Sequence, residues 1–548
     1  MAHVVTQPCC NDASCVAVCP VDCIHPTPQE RVTIRTEMLF IDPGACIDCG
    51  ACVDECPVDA IVPPEDITSA TEPFVELNAA YFRLPRAETP DEGEPEIGTP
   101  PLGTLRVAIV GSGPSACYAA EALCTTKGLD VEVSILEKLP TPGGLVRYGV
   151  APDHTATKGI STLFARTLGR KSCTVHLNTE VGVHVTHDEI LRHHHAVIYA
   201  SGAEGDRRLG IPGENLPGTV AARDFVLWYN GHPDHADSTF DLTGECAVVV
   251  GNGNVALDVA RILTSDVSRL FGTDIAEHAL EALAASRIRK VVVLGRRGPE
   301  HAAFSTAELL GLGHLPGVDV TASHAFDPAA AVVDELTRFR AAILDRYRNA
   351  RPVPGNRQIH LQFFRSPTEV IGAAATAGLR IEATGPALDG DPRVEDLTAG
   401  LVLRSVGFRG RPVQGVPFDD ELGVLPNRRG AVHDPETGTP VRGVYTAGWL
   451  KRGPTGVIGS NRQCSEETVA ELVADFAGGR FGVVEQDPSA FGRLLADRHA
   501  DRVDLAGWKR LDAHERKAGR AVGRSRVKVV GRVGMVDVAL GRQVSKAV

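Results

Sequence analysis

The amino-acid sequence predicts a small α+β domain followed by an α/β protein with two parallel-sheet domains, the second inserted into the first. Three observations predict this class. Nine of the 14 cysteines lie within the first 56 of 548 residues, which indicates a small domain organised by metal. A buried strand, a Gly-rich turn and a helix follow each other twice, from residue 106 and from residue 246. Apolar strands ending in glycine, at 197–202 and 401–407, mark the exits from the two domains, and the strand at 444–448 returns the chain to the first.

The composition is that of a soluble globular protein, with 43% hydrophobic residues, 23% charged residues and a net charge of −13. This acidity argues against a nucleic-acid partner, because phosphate binding requires a basic face. The chain has no apolar run of about 18 residues, as a membrane-spanning helix needs, and no signal-peptide pattern at its start. We therefore expect a cytoplasmic protein without a membrane partner.

Residues 1–62 contain an internal duplication with a period of 37 residues. The first half carries Cys9, Asp12, Cys15 and Cys19, and the second carries Cys46, Cys49, Cys52 and Cys56. The second run, C-x2-C-x2-C-x3-C-P, is the iron–sulfur run of bacterial ferredoxins, in which the fourth cysteine ligates the other cluster. Zinc sites usually pair C-x2-C elements across a longer spacer, so iron–sulfur is favoured over zinc.

The two halves predict two different clusters. One [4Fe–4S] cluster would be held by Cys46, Cys49, Cys52 and Cys19. The other would be held by Cys9, Cys15 and Cys56, with Asp12 at the fourth corner. Cys10 is an alternative to Cys9, although its spacing does not match the 37-residue repeat. A carboxylate is a weaker iron ligand than a thiolate, so this is either a [3Fe–4S] cluster or an aspartate-capped [4Fe–4S] cluster. The segment resembles bacterial seven-iron or eight-iron ferredoxins, which implies the α+β bacterial ferredoxin fold.

The first Gly-rich turn predicts an FAD site in a Rossmann-like domain. Gly111-x-Gly113-x-x-Ala116 follows a strand and begins a helix, which lets a pyrophosphate approach the helix N-terminus. Glu137 ends the next strand and suits ribose hydroxyls, so a dinucleotide without a 2′-phosphate is favoured and FAD fits. The predicted binding residues here are Gly111, Ser112, Gly113, Pro114, Ser115, Ala116, Glu137 and Lys138.

The second Gly-rich turn predicts an NADP(H) site. Gly251-x-Gly253-x-x-Ala256 again follows a strand. Where an acid would bind the ribose diol, the next strand ends in Arg296 and Arg297. Guanidinium groups match a 2′-phosphate, so this site favours NADP over NAD.

Residues 105–510 resemble adrenodoxin reductase and the bacterial ferredoxin–NADP reductases of that type. The motifs that carry the resemblance are LPTPGGLVR at 139–147, VAPDH at 150–154, GNGNVALDVAR at 251–261 and GWLKRGPTGVI at 448–458. With a ferredoxin-like segment in front, the whole chain resembles the mycobacterial-type ferredoxin/ferredoxin–NADP reductase fusions. The resemblance implies cofactor contacts from Gly144, Leu145, Val146, Trp449, Gly456, Val457 and Ile458. It implies an NADP site lined by Arg207, Gly253, Asn254, Val255, Ala256, Arg296, Arg297 and Glu308.

His154 and Glu308 match the pair that this family places near flavin and nicotinamide, and we expect them to orient the nicotinamide. The resemblance implies a ferredoxin–NADP(+) reductase in which hydride passes from NADPH to FAD. Single electrons would then pass to the clusters and to an external ferredoxin or redox acceptor such as a monooxygenase, or the reverse. Two alternatives are an electron-input subunit like that of glutamate synthase and a non-enzymatic redox sensor.

These motifs divide the chain into six predicted segments. Between Pro63 and Pro101 there are eight prolines and nine acidic residues, a linker composition, in which the apolar stretch from Phe74 to Leu84 could dock on a neighbour. The tail after residue 487 is weakly patterned, which predicts a peripheral helical extension. The segments are an iron–sulfur domain (1–62), a linker (63–104), the first part of the FAD domain (105–205), the NADP domain (206–408), the second part of the FAD domain (409–487) and the extension (488–548).

Overall fold

The computed structural model describes residues 2–32, 36–84, 103–324, 334–385, 392–485 and 487–542. Two parallel sheets form the bulk of the molecule, and the cysteine-rich domain packs against both sheet domains. The strands of the second sheet all lie between residues 219 and 404, and the strands of the first sheet come before and after them. The predicted fold class, with the second domain inserted into the first, is therefore confirmed.

The N-terminal domain repeats its backbone geometry with the same 37-residue period as its cysteines. The left-handed residues Asn11, Ala13 and Asp22 recur as Asp48, Gly50 and Asp59. The short helices Ser14–Ala17 and Ala51–Glu55 also correspond, as do the strands Ile24–His25 and Ile61–Val62. Val4–Val5 pairs antiparallel with Ile61–Val62, and Ile24–His25 pairs antiparallel with Phe40–Ile41. The duplication is therefore one of structure as well as sequence.

The predicted linker contains a helix that belongs to this N-terminal domain. The helix Pro73–Phe82 buries Phe74, Leu77 and Tyr81 in the domain core. The buried amide of Asn78 accepts hydrogen bonds from the backbone N–H groups of Val5 (3.2 Å) and Ile41 (2.9 Å), and it donates to the Val5 carbonyl. The boundary at residue 62 is therefore too early. The proline and acid content conceals the helix, but the apolar stretch from Phe74 does dock on a neighbour, as predicted.

The first α/β domain is built on a seven-stranded sheet. Its strands, in spatial order, are Asn427–Arg428, Ala431–His433, Pro440–Thr446, Ala196–Tyr199, Leu105–Val110, Val131–Leu136 and Cys173–His176. The five strands from Pro440–Thr446 to Cys173–His176 are parallel. Its helices are Pro114–Thr125, Leu145–Tyr148, Ser161–Leu168, His187–His193, Trp449–Arg452 and Ser460–Ala477.

The inserted domain is built on a six-stranded parallel sheet. Its strands, in spatial order, are Thr219–Ala221, Leu401–Arg404, Cys246–Val250, Lys290–Leu294, Arg357–Gln362 and Val318–Ala322. Its helices are Ala222–Tyr229, Asn254–Thr264, Val267–Phe271, Glu277–Ala284, Thr306–Leu312 and Glu335–Arg348. An antiparallel sheet of Arg365–Ile371, Gly378–Ala383 and Val394–Thr398 lies on it. The chain enters and leaves through a two-stranded ribbon of Gly205–Asp206 and Phe408–Arg409.

The described part of the C-terminal segment, residues 488–542, is not peripheral, which corrects the prediction there; residues 543–548 lie outside the described residues. Its helices Ala490–Arg498, Leu505–Ala521 and Arg532–Leu540 contribute buried residues to the core of the first domain. The fully buried Glu515 carboxylate lies 2.6 Å from the Arg147 guanidinium and 2.7 Å from that of Arg526. Some of the buried contacts of this segment are ion pairs. They do not produce an apolar pattern in the sequence, so the sequence predicted an exposed segment. None of the described helices has the length and apolar character needed to cross a membrane.

Candidate active site

The structure brings Cys19 of the first half together with Cys46, Cys49 and Cys52 of the second. These four side chains line one small hollow in the N-terminal domain. Cys49 is exposed, and the neighbouring Ile47 side chain is 59% exposed. This predicted ligand set therefore reaches the molecular surface at Cys49.

Cys9, Cys15 and Cys56 form a second group that faces the α/β domains. The half-buried Arg31 lies beside Cys9 and Cys15, and its buried Nε and Nη2 atoms have no hydrogen-bond partner among the described residues. Buried guanidinium N–H groups without a partner fit an anionic group such as an iron–sulfur cluster. The last cysteine of each half also accepts a backbone N–H four residues on: Cys56 Sγ from Ala60 (3.2 Å) and Cys19 Sγ from Cys23 (3.4 Å).

Asp12, the predicted fourth ligand of the second group, is engaged by protein groups. Its Oδ2 atom accepts a 2.6 Å hydrogen bond from the Tyr118 hydroxyl, and its Oδ1 atom lies 3.7 Å from Arg462 Nη1. Oδ1 also accepts hydrogen bonds from the backbone N–H and hydroxyl of Ser14. Asp12 thus connects the cysteine-rich domain to the first α/β domain.

The first Gly-rich turn has the geometry of a phosphate cradle. Gly111 has φ +110°, and a Cβ there would lie 2.5 Å from the Ala200 carbonyl oxygen. Gly144 packs against Gly113, where a Cβ would lie 3.0 Å from the Gly113 Cα atom. These close approaches leave room for a ligand only because side chains are absent. The helix that follows begins at Pro114, and its first turn contains Pro114, Ser115 and Ala116.

Glu137 is buried at the end of the second strand, beside the same turn. Its carboxylate accepts hydrogen bonds from the Ser112 hydroxyl (2.7 Å) and from the Leu139 N–H (2.9 Å), and burial raises its pKa. The Oε2 atom also accepts the Ser112 N–H at 3.1 Å, so Oε1 is the oxygen that retains a lone pair for a ribose hydroxyl. The adjacent Lys138 forms an ion pair with Glu204 at 2.5 Å.

Residues 448–458, which are predicted to contact flavin, lie beside this cradle. A Cβ at Gly448 would lie 2.0 Å from Ser115 Oγ, so the two segments are in contact. Trp449 stacks on Phe408 with ring centroids 5.5 Å apart. Gly456 has φ +81°, and Val457 and Ile458 follow it at the edge of a cavity.

The second Gly-rich turn repeats the cradle in the inserted domain. A Cβ at Gly251 would lie 2.1 Å from the Ser405 carbonyl oxygen. Beyond Gly253, Asn254 accepts a 2.7 Å hydrogen bond from the Ser305 N–H, and Ser305 caps the helix that carries Glu308. The first helical turn here contains Asn254, Val255 and Ala256. Arg207, Arg296 and Arg297 are exposed and lie outside the cavity described below.

His154 and Glu308 lie close together although they come from different domains. His154 Nε2 is 3.7 Å from Glu308 Oε2, and His154 Nδ1 is 3.9 Å from Asp258 Oδ1. Burial, with Arg261 nearby, lowers the pKa of His154 to about 3. Burial, reinforced by the Asp258 charge, raises the pKa of Glu308 to about 7. The imidazole is therefore neutral, and the Glu308 carboxyl can hold a proton near neutral pH.

A cavity of about 460 Å³ joins these groups and is closed on one side by the cysteine-rich domain. Its walls include His154, Asn254, Asp258, Glu308, Val457 and Ile458 from the α/β domains and Gln7, Cys9, Cys10, Thr36, Glu37, Met38, Phe40 and Leu77 from the N-terminal domain. Cys9 of the second cysteine group and the predicted flavin and nicotinamide contacts therefore border one space.

Gln7 is the residue of this cavity that sequence reasoning missed. Its Nε2 atom donates to Glu308 Oε1 at 2.7 Å and lies 3.2 Å from His154 Nε2. Gln7 is 147 residues from His154 and 301 from Glu308. It stands outside every motif, and no local signal could have identified it.

Two glycines let the cysteine-rich domain approach the first α/β domain closely. A Cβ at Gly459 would lie 1.9 Å from the Asn11 carbonyl oxygen, and one at Gly159 would lie 2.9 Å from that of Pro57. The Gly459 N–H donates a 2.7 Å hydrogen bond to the Cys10 carbonyl. The two domains therefore meet backbone to backbone beside the second cysteine group.

Comparisons with known families agree with these two kinds of site. Residues 39–62 match the family described as a 4Fe-4S binding domain, which supports iron–sulfur over zinc. Residues 109–170 match the family described as an NAD(P)-binding Rossmann-like domain.

Relatives match nearly the whole chain. A Mycobacterium tuberculosis protein named probable ferredoxin/ferredoxin–NADP reductase is 47% identical over 547 residues, covering 96% of this chain and 93% of the relative. Its namesake from Mycobacterium leprae is 45% identical, covering 99% and 98%. The solved structure of Mycobacterium tuberculosis FprA in complex with NADPH is 43% identical, with a TM-score of 0.73, and covers 80% of this chain and 100% of FprA.

Proposed function

The chain belongs to the family of ferredoxin/ferredoxin–NADP reductases, and from this premise we propose that its own N-terminal domain is the ferredoxin that its reductase domains serve. The protein is an NADP-dependent oxidoreductase of a flavoprotein family with a fused iron–sulfur domain. FAD would supply hydride exchange with NADP(H), and iron–sulfur clusters would supply single-electron transfer to or from an external acceptor. The chain's own residues supply position, charge and exclusion of water.

One observation carries the proposal. The cavity that contains His154 and Glu308 is walled by Val457 and Ile458 on the reductase side and by Cys9 and Cys10 on the ferredoxin side. The Gly459 contact, which no side chain could occupy, maintains this proximity. We call the second group, Cys9, Cys15 and Cys56, the inner cysteine group, and we call Cys19, Cys46, Cys49 and Cys52 the outer cysteine group. Electron transfer between the flavin site and the inner cysteine group then needs no movement of the N-terminal domain.

We assign the inner group of Cys9, Cys15 and Cys56 to a three-iron cluster. Asp12 supports this choice, because its carboxylate oxygens are already bonded to Tyr118 and Ser14. These hydrogen bonds draw electron density from both oxygens, which makes the Asp12 carboxylate a weaker iron ligand. The group of Cys19, Cys46, Cys49 and Cys52 offers four thiolates and suits a [4Fe–4S] cluster.

The outer cysteine group is the exit towards the external acceptor. Cys49 is exposed, and the apolar side chains of Val21 and Ile47, which line the same hollow, are 36% and 59% exposed. Residues 1–62 carry nine acidic residues and only two arginines. An acceptor with an apolar contact and a basic rim, such as a ferredoxin-dependent monooxygenase, fits this surface.

Within the cavity, His154 and Glu308 orient the nicotinamide. The neutral imidazole offers an acceptor nitrogen, and Glu308 offers a carboxyl group that is half protonated near neutral pH. Arg261 holds the pair in place through Asp153 and Asp258. The pair therefore combines hydrogen bonding with a site where one proton can be held.

The test is an anaerobic reaction of the holoprotein with NADPH, in which flavin and cluster absorbance are followed together. We expect flavin bleaching and then cluster bleaching, with a cluster rate that is unchanged on tenfold dilution. A cluster rate that falls in proportion to protein concentration would mean that electrons pass between molecules. Reduction of the same clusters by dithionite is the control that shows they are present and reducible.

A further inference from the structure

The side chain of Gln7 lies where its amide can bond to both members of the His154–Glu308 pair. Its Nε2 atom is 2.7 Å from Glu308 Oε1 and 3.2 Å from His154 Nε2. An NH₂ group has two hydrogens, so one can go to the carboxylate and the other to the imidazole. The imidazole is neutral and its Nε2 atom can accept, with the ring proton on Nδ1 towards Asp258.

The group that Gln7 presents is a primary carboxamide, and the nicotinamide ring carries the same group. A carboxamide with one acceptor oxygen and two N–H donors makes the same demands on its partners from either source. Both would meet the same imidazole and carboxylate in the same cavity. Gln7 therefore matches the cofactor chemically at the point where the reductase domains are proposed to recognise it.

We propose that the Gln7 carboxamide is a built-in competitor of the nicotinamide carboxamide for the His154–Glu308 pair. The inference depends on the proposed function of that pair. The nicotinamide half of NADP(H) binds there only when the Gln7 side chain has turned away, and the return of Gln7 favours release of NADP+. Gln7 precedes Cys9 by two residues, so the occupancy of the nicotinamide site is linked to the loop that carries the inner cysteine group.

The competition should change the apparent affinity for NADP+ by a measurable factor. A competitor that occupies the site for two-thirds to nine-tenths of the time weakens the apparent affinity by about three- to tenfold. Its removal therefore strengthens NADP+ binding by about the same factor. Adenosine 2′,5′-bisphosphate has the phosphorylated ribose but no nicotinamide, so its affinity does not change.

The experiment compares three single variants of the holoprotein: Gln7→Ala, Gln7→Met, which keeps the length of the side chain, and Gln29→Ala as a matched control. Gln29 is an exposed glutamine of the same domain. Dissociation constants for NADP+ and for adenosine 2′,5′-bisphosphate are measured by titration, with flavin and iron content recorded for each variant. We expect both Gln7 variants to bind NADP+ about three- to tenfold more tightly and the bisphosphate as in the unmodified chain.

Three results would overturn the competition. Unchanged NADP+ affinity means that Gln7 does not block the site. Weaker NADP+ binding means that Gln7 assists the nucleotide, and an equal change for the bisphosphate means a general effect on the domain. Failure of the proposed function itself is seen separately, as NADP+ binding to the unmodified chain without any change in the flavin spectrum.

Discussion

Substitution of Gly459 by alanine tests whether the docked position of the N-terminal domain is the one that transfers electrons. The new Cβ atom would lie 1.9 Å from the Asn11 carbonyl oxygen, 2.1 Å from its carbon and 2.5 Å from the Asp12 nitrogen. All three are backbone atoms and cannot rotate away. The two segments must move from 1.9 Å to an ordinary contact distance of 3.4 Å, a separation of about 1.5 Å.

A separation of this size breaks the hydrogen bonds that hold the domains together here. The Gly459–Cys10 bond of 2.7 Å and the Tyr118–Asp12 bond of 2.6 Å would both exceed hydrogen-bond length. Loss of the neutral bond costs about 1 kcal/mol, and loss of the bond to the carboxylate costs about 1.5–3 kcal/mol. Together they lower the docking equilibrium constant by about 60- to 700-fold, at 1.4 kcal/mol for each factor of ten.

The assay is stopped-flow absorbance after mixing with NADPH under anaerobic conditions. We expect Gly459→Ala to reduce its clusters about tenfold more slowly or worse, with flavin reduction changed by less than about twofold. Gly478→Ala is the matched control, because Gly478 follows the other end of the same helix and its Cβ would meet atoms no closer than 3.4 Å. Unchanged cluster reduction in a Gly459→Ala protein with full flavin content would refute the docked geometry as the transfer geometry.

Three further predictions concern the nucleotide sites and the C-terminal segment. The double variant Arg296→Ala/Arg297→Ala should lose preference for NADPH over NADH in kcat/KM, since the 2′-phosphate loses two guanidiniums; undiminished preference would contradict the assignment. Glu308→Gln should abolish a step near pH 7 in the rate of flavin reduction. Because the folded pKa of Glu308 is raised above that of the unfolded chain, its contribution to stability falls as pH rises from about 4.5 to about 7, and Glu308→Gln should flatten unfolding midpoints over that window. Glu515→Ala should lower the free energy of unfolding by about 3–5 kcal/mol in urea, because the buried Arg147 guanidinium loses its carboxylate partner while Arg526 keeps Asp512, whereas an exposed-residue change such as Glu421→Ala should have little effect.

The sequence predicted those features that depend on local pattern. The strand predicted at Cys246–Val250 is found at those residues, and the glycines that open both helices lie where the backbone turns tightly. The 37-residue repeat predicted a symmetric domain with exchanged fourth cysteines, and Cys19 does lie among the cysteines of the other half. Such features are set by neighbours a few residues apart.

What the sequence did not predict depends on contacts between distant segments. The helix Pro73–Phe82 was hidden by proline and acid content, although Asn78 joins two strands of the N-terminal domain. Gln7 and Gly459 are ordinary residues until the docked domain gives each a specific partner. Their roles depend on contacts between domains, and such contacts leave no motif in a single sequence.

The position of Arg524 and Lys528 in the chain has a consequence for how the molecule is made. Lys528 is buried and binds Asp274 and the Asn230 carbonyl at 2.9 Å each, and Asp274 also binds Lys158 of the first α/β domain at 2.6 Å. Arg524 binds Glu277 and the Ile275 carbonyl of the inserted domain. Domains generally fold in the order in which the ribosome releases them. The contacts of Arg524 and Lys528, which join both nucleotide domains, therefore form only after both domains have been synthesised, and the two sheets can form before these contacts join them.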